Sequence, residues 1–128
     1  MSEKISEIRN SDVVNAYFDS MKSIKKESPY SSQEDVISDA LQKGAPRFYT
    51  TYENARRFVS LIARGKNLPL VNENKVEMYH ELFRRFLCKK NNNCGYLILE
   101  QIIEEEAPSF YLDFETFRGI IYKTLNKK

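Results

Sequence analysis

The only histidine, His80, and the two cysteines, Cys88 and Cys94, are the residues best suited to metal binding or nucleophilic chemistry. Five residues separate the cysteines, a spacing that matches no common zinc motif, and a site made from all three residues would still lack a fourth ligand. His80 lies among apolar residues of a predicted helix, so we expect it to be half-buried and to pack rather than to act as a base. The sequence therefore predicts no metal and no cofactor.

Two glutamates, Glu53 and Glu115, lie 62 residues apart, and each is in the first turn of a predicted helix. Capping and a favourable interaction with the positive end of the helix are the expected roles of an acid at this position. The sequence shows no phosphate-cradling glycine-rich loop, nucleophile elbow or paired-carboxylate pattern. We therefore expect a protein that is not an enzyme and has no evident small-molecule substrate.

Arginines lie three residues beyond these acids, at Arg56 and Arg118, and thus on the same helical face. The spacing predicts an ion pair within each helix, and contact with phosphate or an acidic partner is the alternative. Cations are denser in the first half of the chain, where they define a candidate binding face. This face comprises Arg47, Arg56, Arg57, Arg64 and Lys66. The acidic run at 104–106 in the second half offers a complementary surface in a neighbouring subunit.

Two proline-aromatic corners carry the largest side chains: Phe48-Tyr49 follows Pro46, and Phe110-Tyr111 follows Pro108. A proline disfavours helix in the residue before it, so each corner is predicted to separate two helices. One interpretation places a ring in the core with the tyrosine hydroxyls bonded locally. The other leaves one ring of Phe48, Tyr49 or Tyr111 exposed as an anchor for a partner.

These corners belong to a repeat, because residues 45–56 align with residues 107–118 without a gap and six of the twelve positions are identical. The same offset of 62 residues pairs apolar positions upstream and downstream at helical spacing. Self-similarity of this kind is typical of duplicated helical units. We predict a lead-in over 1–11, one unit over 12–66, a linker over 67–73 and a second unit over 74–128.

Apolar spacing predicts three helices in each unit and no strand. Capping boxes are predicted at 31–34 and 50–53, and Ser11 or Asp12 is expected to cap the first helix. The last helix is expected to begin at about Asp113. The predicted fold is all-α: six helices formed by tandem duplication of a three-helix unit and packed into one compact domain.

Composition narrows the function further. The net charge of +2 is low for a dedicated nucleic-acid domain, and a hydrophobic content of 41% with eight Tyr and eight Phe is ample for a core. The polar N-terminus lacks the apolar segment of a signal peptide, and no apolar run is long enough to cross a bilayer. We expect a cytoplasmic protein without membrane contact.

The Ala45-Pro46-Arg47-Phe48-Tyr49 segment, with Glu and Arg downstream, resembles short helical proteins of unknown function from gut Bacteroidetes genomes, phages and mobile elements. The resemblance covers mainly residues 45–59 and implies a phage or mobile-element context, without assigning an activity.

Two functions fit these observations. The first is a protein-interaction or assembly module, acting on a protein partner or by self-association. The second is a small helix-turn-helix-like regulator that binds DNA or RNA through the basic face of the third helix. The first agrees better with the nearly balanced charge.

Overall fold

The computed structural model describes residues 2–89 and 95–125, and all regular structure in these residues is helical. The helices are α1 (Ser2–Glu27), α2 (Gln33–Gln42), α3 (Tyr52–Ala63), α4 (Glu73–Lys89), α5 (Leu99–Ile103) and α6 (Phe114–Leu125). A short 3-10 helix, Gly95–Ile98, leads directly into α5. In these two stretches of chain, no helix combines the length and the apolar character needed to span a membrane. The all-α prediction is confirmed.

The first helix is longer than the sequence pattern indicated. It begins at Ser2, so the predicted lead-in over 1–11 and the predicted cap at Ser11 or Asp12 are wrong. Ile5 and Ile8 are half-buried and lie three residues apart, and Ile5 lies eight residues before the buried Val13, which is a same-face helical spacing. They extend the apolar face toward the N-terminus, and packing outweighs the weak helix propensity of Asn10 and Ser11.

Two of the predicted caps are shifted. Ser32 caps α2 in a capping box with Asp35, one residue later than predicted. Thr51 caps α3 by accepting a hydrogen bond from the backbone N–H of Asn54 at 3.2 Å. The predicted box over 50–53 is wrong because the Thr50 hydroxyl bonds elsewhere in the core.

The start of the last helix agrees with the prediction. Asp113 precedes α6, and its Oδ1 accepts a hydrogen bond from the backbone N–H of Thr116 at 2.7 Å. Thr51 and Asp113 lie 62 residues apart, so corresponding positions in the two halves cap corresponding helices. The sequence also predicts a break between helices over 91–95, and all of this segment except Gly95 lies outside the described residues.

The third helix of each half packs against the other half. The main helix neighbours of α3 are α4 and α5, whereas α6 packs against α1 and α2. In addition, α1 packs against α2, and α4 packs against α5. The helical clusters are therefore α1, α2 and α6 on one side and α4, α5 and α3 on the other.

The two proline-aromatic corners meet where the clusters join. Ala45 and Ala107 exchange backbone hydrogen bonds in both directions, at 2.9 and 2.8 Å, as an isolated antiparallel bridge. Gly44 precedes this bridge, and a Cβ added there would lie 2.6 Å from the carbonyl oxygen of Ala107. The absence of a side chain at Gly44 thus permits the close approach of the two backbones.

Aromatic rings stack across the same junction. The ring centres of Phe48 and Tyr111 are 6.3 Å apart, and those of Tyr49 and Phe110 are 5.9 Å apart. Each pair joins the first ring of one corner to the second ring of the other. The two corners therefore pack as a reciprocal unit in the centre of the molecule.

Candidate binding surfaces

The phenylalanines of the two corners lie in the core. Phe48 is fully enclosed and Phe110 nearly so, whereas Tyr49 and Tyr111 are half-buried. Phe48 was predicted as a candidate binding residue, but its burial prevents direct contact with a partner. Its contribution is to packing.

Both corner tyrosines have local hydrogen bonds and displaced pKa values. The Tyr49 hydroxyl donates to Oδ2 of Asp12 at 2.7 Å, and burial, followed by this bond, raises the Tyr49 pKa well above its usual value. Burial raises the pKa of Tyr111 to about 12. The backbone of Tyr111 has a left-handed φ of 56°, and its N–H donates to Oγ of Ser109 at 2.7 Å. This bond supports a conformation that is unfavourable for a bulky residue.

Arg85 on α4 is a central polar residue that the sequence analysis did not single out. It donates hydrogen bonds to Glu81 at 2.8 Å, to Glu105 at 3.3 Å and to the backbone carbonyl of Glu106 at 2.8 Å. Its guanidinium also lies 4.9 Å from the centre of the Phe48 ring. The spacing of Glu81 and Arg85, four residues on one helix, is the signal that would have indicated part of this network.

The network includes two further cations. Arg84 and Lys89 lie at its outer side, where Arg84 pairs with Glu81 and Lys89 pairs with Glu105. The hydrogen bond from Arg84 holds the pKa of Glu81 below its usual value, and the bond from Arg85 acts in the same direction. The acidic run of the second half is thus partly neutralised within the molecule, since Glu105 is already paired.

The predicted cationic face is exposed on and just after α3. Arg56, Arg57, Arg64 and Lys66 are all exposed, and none of the four takes part in an ion pair with the side chains of residues 5–89 or 95–125. Arg57 lies 4.5 Å above the ring of Phe58. These cations retain their charge for an external partner.

The predicted ion pairs form in only one of the two halves. Arg118 lies 3.4 Å from Glu115 on α6, as expected. Arg56 and Glu53 do not pair, so this prediction is wrong for α3. Arg47, the fifth predicted cation, is half-buried at the corner and donates from Nε to the carbonyl of Phe48 at 3.1 Å.

A groove of about 730 Å³ runs between α1 and the last turn of α6. Val14 provides an apolar position, and Glu7 and Lys123 provide charges of both signs. The lining residues are Glu7, Asn10, Ser11, Val14, Asn15, Lys123 and Thr124. Sequence reasoning missed this α1–α6 groove because it depends on how α6 packs.

His80 lies in a smaller groove of about 380 Å³ between α3, the linker and α4. It is exposed there, so the prediction of a half-buried packing role is wrong. Met78, Tyr79 and Leu82 form the buried face of α4. His80 lies beside this face on the helix and points to solvent. Cys88 is exposed near the end of α4, and Cys94 lies outside the described residues. The side chains of residues 5–89 and 95–125 include no group of three that could hold a metal ion.

Comparison with known proteins identifies no relative of this chain. A scan against protein-family models finds no match, and searches of curated proteins and of solved structures find none either.

Proposed function

We propose that the protein is a non-enzymatic helical binding module that recognises a segment of a partner protein in the α1–α6 groove. The observation that carries this proposal is the size and lining of the groove. Its volume of about 730 Å³ lies within the roughly 300–1,000 Å³ of typical ligand sites. An apolar position with a polar rim is also the usual arrangement of a protein-binding surface.

The shape of the lining favours a peptide segment. Glu7 and Asn15 mark its ends along α1, and eight residues of helix extend about 12 Å. Glu7 can pair with a cation of the partner and Lys123 with an anion, and these pairs would orient the bound segment. Val14 provides the apolar contact. A short segment with one apolar side chain between polar residues fits these features.

A matched pair of valine substitutions tests the proposal. Val14→Lys places a charge in the groove, whereas Val71→Lys changes a fully exposed residue of the linker. Proteins captured from a lysate of the source cells by the wild type and by Val71→Lys, but not by Val14→Lys, would support the groove as the binding site. Equal capture by both variants, with both folded by circular dichroism, would contradict it. Light scattering on the eluted protein separates self-association from a foreign partner.

Nucleic-acid binding is the second candidate, and the unpaired cations of α3 favour it. Arg56 and Arg57 are exposed on the helix, and Arg64 and Lys66 follow its end. Neutralising phosphates releases counterions, so binding would strengthen as salt falls. Mobility shift over a salt series tests this function. Arg56→Ala with Arg57→Ala should flatten the salt slope, whereas Arg84→Ala, at a cation already paired with Glu81, should not.

Tandem duplication of a three-helix unit is the origin that we propose for the fold, with units over 12–66 and 74–128. Its support comes from pairs of features separated by 62 residues: the bridged Ala45 and Ala107, and the capping residues Thr51 and Asp113. An experimental structure in which the two units superimpose over their three helices would support the duplication. A phage or mobile-element context and a cytoplasmic location remain predictions from the sequence.

A further inference from the structure

A further cavity, smaller than the α1–α6 groove and the groove at His80, lies beside the first corner. It measures about 160 Å³ and is bordered by the N-terminal part of α1, the start of α3 and the N-terminal half of α4. Its lining residues are Ile5, Ser6, Arg9, Tyr49, Thr50, Thr51, Asn54, Lys75, Met78 and Tyr79. This corner cavity joins residues from three helices that are far apart in sequence.

The lining is cationic. Arg9 and Lys75 supply two positive charges, and the ten lining residues include no carboxylate. The hydrogen bonds of the Arg9 guanidinium go to the neutral amide oxygen of Asn10, at 3.3 and 3.2 Å. Neither cation forms an ion pair with the side chains of residues 5–89 or 95–125. The positive charge of the cavity is therefore not balanced by its own walls.

Hydroxyl groups complete the lining, and the Thr51 hydroxyl retains a proton to donate. The Thr50 hydroxyl donates to the backbone carbonyl of Thr51 at 3.5 Å and shares a hydrogen bond of 2.7 Å with the hydroxyl of Tyr79, so the protons of both are already used. The Thr51 hydroxyl accepts from the N–H of Asn54, which leaves its own proton free and shows that the end of α3 is already capped. The cavity therefore offers the Thr51 hydroxyl as a donor in addition to the two cations, Arg9 and Lys75.

We propose that the corner cavity binds a tetrahedral oxyanion of the phosphate type, either as the free ion or as the phosphate group of a small monoester. Two cations without an ion pair, together with the Thr51 hydroxyl, are groups that recognise such an anion. The volume is well below the roughly 300 Å³ of sites for drug-sized ligands, which restricts the occupant to a small group. The proposal does not rest on the protein-binding function, because Val14 and Lys123 lie outside this cavity.

Amide chemical shifts of the full chain, titrated with inorganic phosphate and with chloride at equal ionic strength, test the site. We expect phosphate alone to produce saturable shifts confined to the lining, chiefly at Arg9, Thr51, Asn54 and Lys75. Arg9→Gln and Lys75→Gln should each weaken phosphate binding about tenfold or more, since each removes a charged hydrogen bond. Lys22→Gln, at an exposed cation elsewhere on α1, is the matched control and should leave the affinity unchanged.

The outcomes are distinguishable. Shifts that are spread over the exposed cations, or that survive in both Arg9→Gln and Lys75→Gln, would overturn the site. Two independent variants keep the test decisive if one of them does not fold. A parallel titration with glycerol phosphate identifies the source of the ligand, because tighter binding than inorganic phosphate would assign a monoester and equal or weaker binding would assign the free ion.

Discussion

The guanidinium of Arg85 lies 4.9 Å from the centre of the Phe48 ring, across the boundary between the two halves of the sequence. The same side chain donates to Glu81 and to the backbone carbonyl of Glu106, each at 2.8 Å. A residue with 20% of its side chain exposed thus joins α4, the segment after α5 and the first corner. Its contacts give the junction a polar cross-link beside the aromatic stacking.

Replacing Arg85 by Gln should reduce the free energy of unfolding by about 2 kcal/mol, because the charged hydrogen bonds and the contact with Phe48 are lost together. Arg84→Gln, at a neighbouring cation with 64% of its side chain exposed, is the control and should lose less than about 1 kcal/mol, because its ion pair with Glu81 is exposed to solvent. Urea denaturation followed by circular dichroism measures both. Equal stability of the two variants would show that Arg85 has no special role.

Two Gly→Ala substitutions should change stability in opposite directions. Gly44→Ala places a Cβ 2.6 Å from the carbonyl of Ala107, so the bridge must shift, at a cost of about 1–3 kcal/mol. Gly119→Ala lies in the middle of α6, where the added carbon would meet no described atom within 4 Å apart from its chain neighbours and the helix backbone, and should stabilise the protein by about 0.5–1 kcal/mol. Thermal unfolding of the two variants checks both signs, and a stable Gly44→Ala variant would contradict the close approach.

Alkaline pH should weaken the fold through Tyr111. Its pKa is raised from 10.0 to about 12, first by burial and then by the charge of Glu81. The stabilisation from this group is complete below pH 10.0 and is lost as the pH rises toward 12. Unfolding free energies measured over this range should fall less steeply in Tyr111→Phe than in the wild type. An unchanged slope would contradict the assignment.

Acid should weaken the network around Arg85. The pKa of Glu81 lies below its usual 4.5 because of the hydrogen bond from Arg84, supported by the bond from Arg85. The carboxylate therefore stabilises the fold above pH 4.5, and this contribution is lost as the pH falls through the lowered pKa. Glu81→Gln should be less stable than the wild type at neutral pH, and the difference should shrink in acid. A constant difference would exclude linkage to this group.

The helices could be predicted because their signals are local. Apolar spacing marked each helix, and Asp113 marked the start of α6. The errors occurred where a local signal competed with packing: Ile5 and Ile8 extend α1, and Thr50 bonds Tyr79 instead of capping α3. Capping motifs allow alternatives one residue apart, and only the tertiary contacts select between them.

The surfaces were less predictable than the helices. The cationic residues of α3 could be identified individually, because they lie at positions outside the apolar stripe of the helix and are therefore expected to be exposed. The α1–α6 groove and the corner cavity combine positions such as Arg9 with Lys75 or Val14 with Lys123, which become neighbours only through the fold. No sequence spacing encodes those neighbours, because they depend on which helices α3 and α6 pack against.

Because the third helix of each half packs against the other half, neither half can complete its packing early in translation. When α1 to α3 have just emerged from the ribosome, α4 and α5 have not yet emerged, so the buried face of α3, with Phe58 and Val59, has no docking surface. The N-terminal half must therefore wait for α4 and α5, and α1 and α2 must wait for α6. Maturation of the nascent chain is a single late event rather than two successive ones.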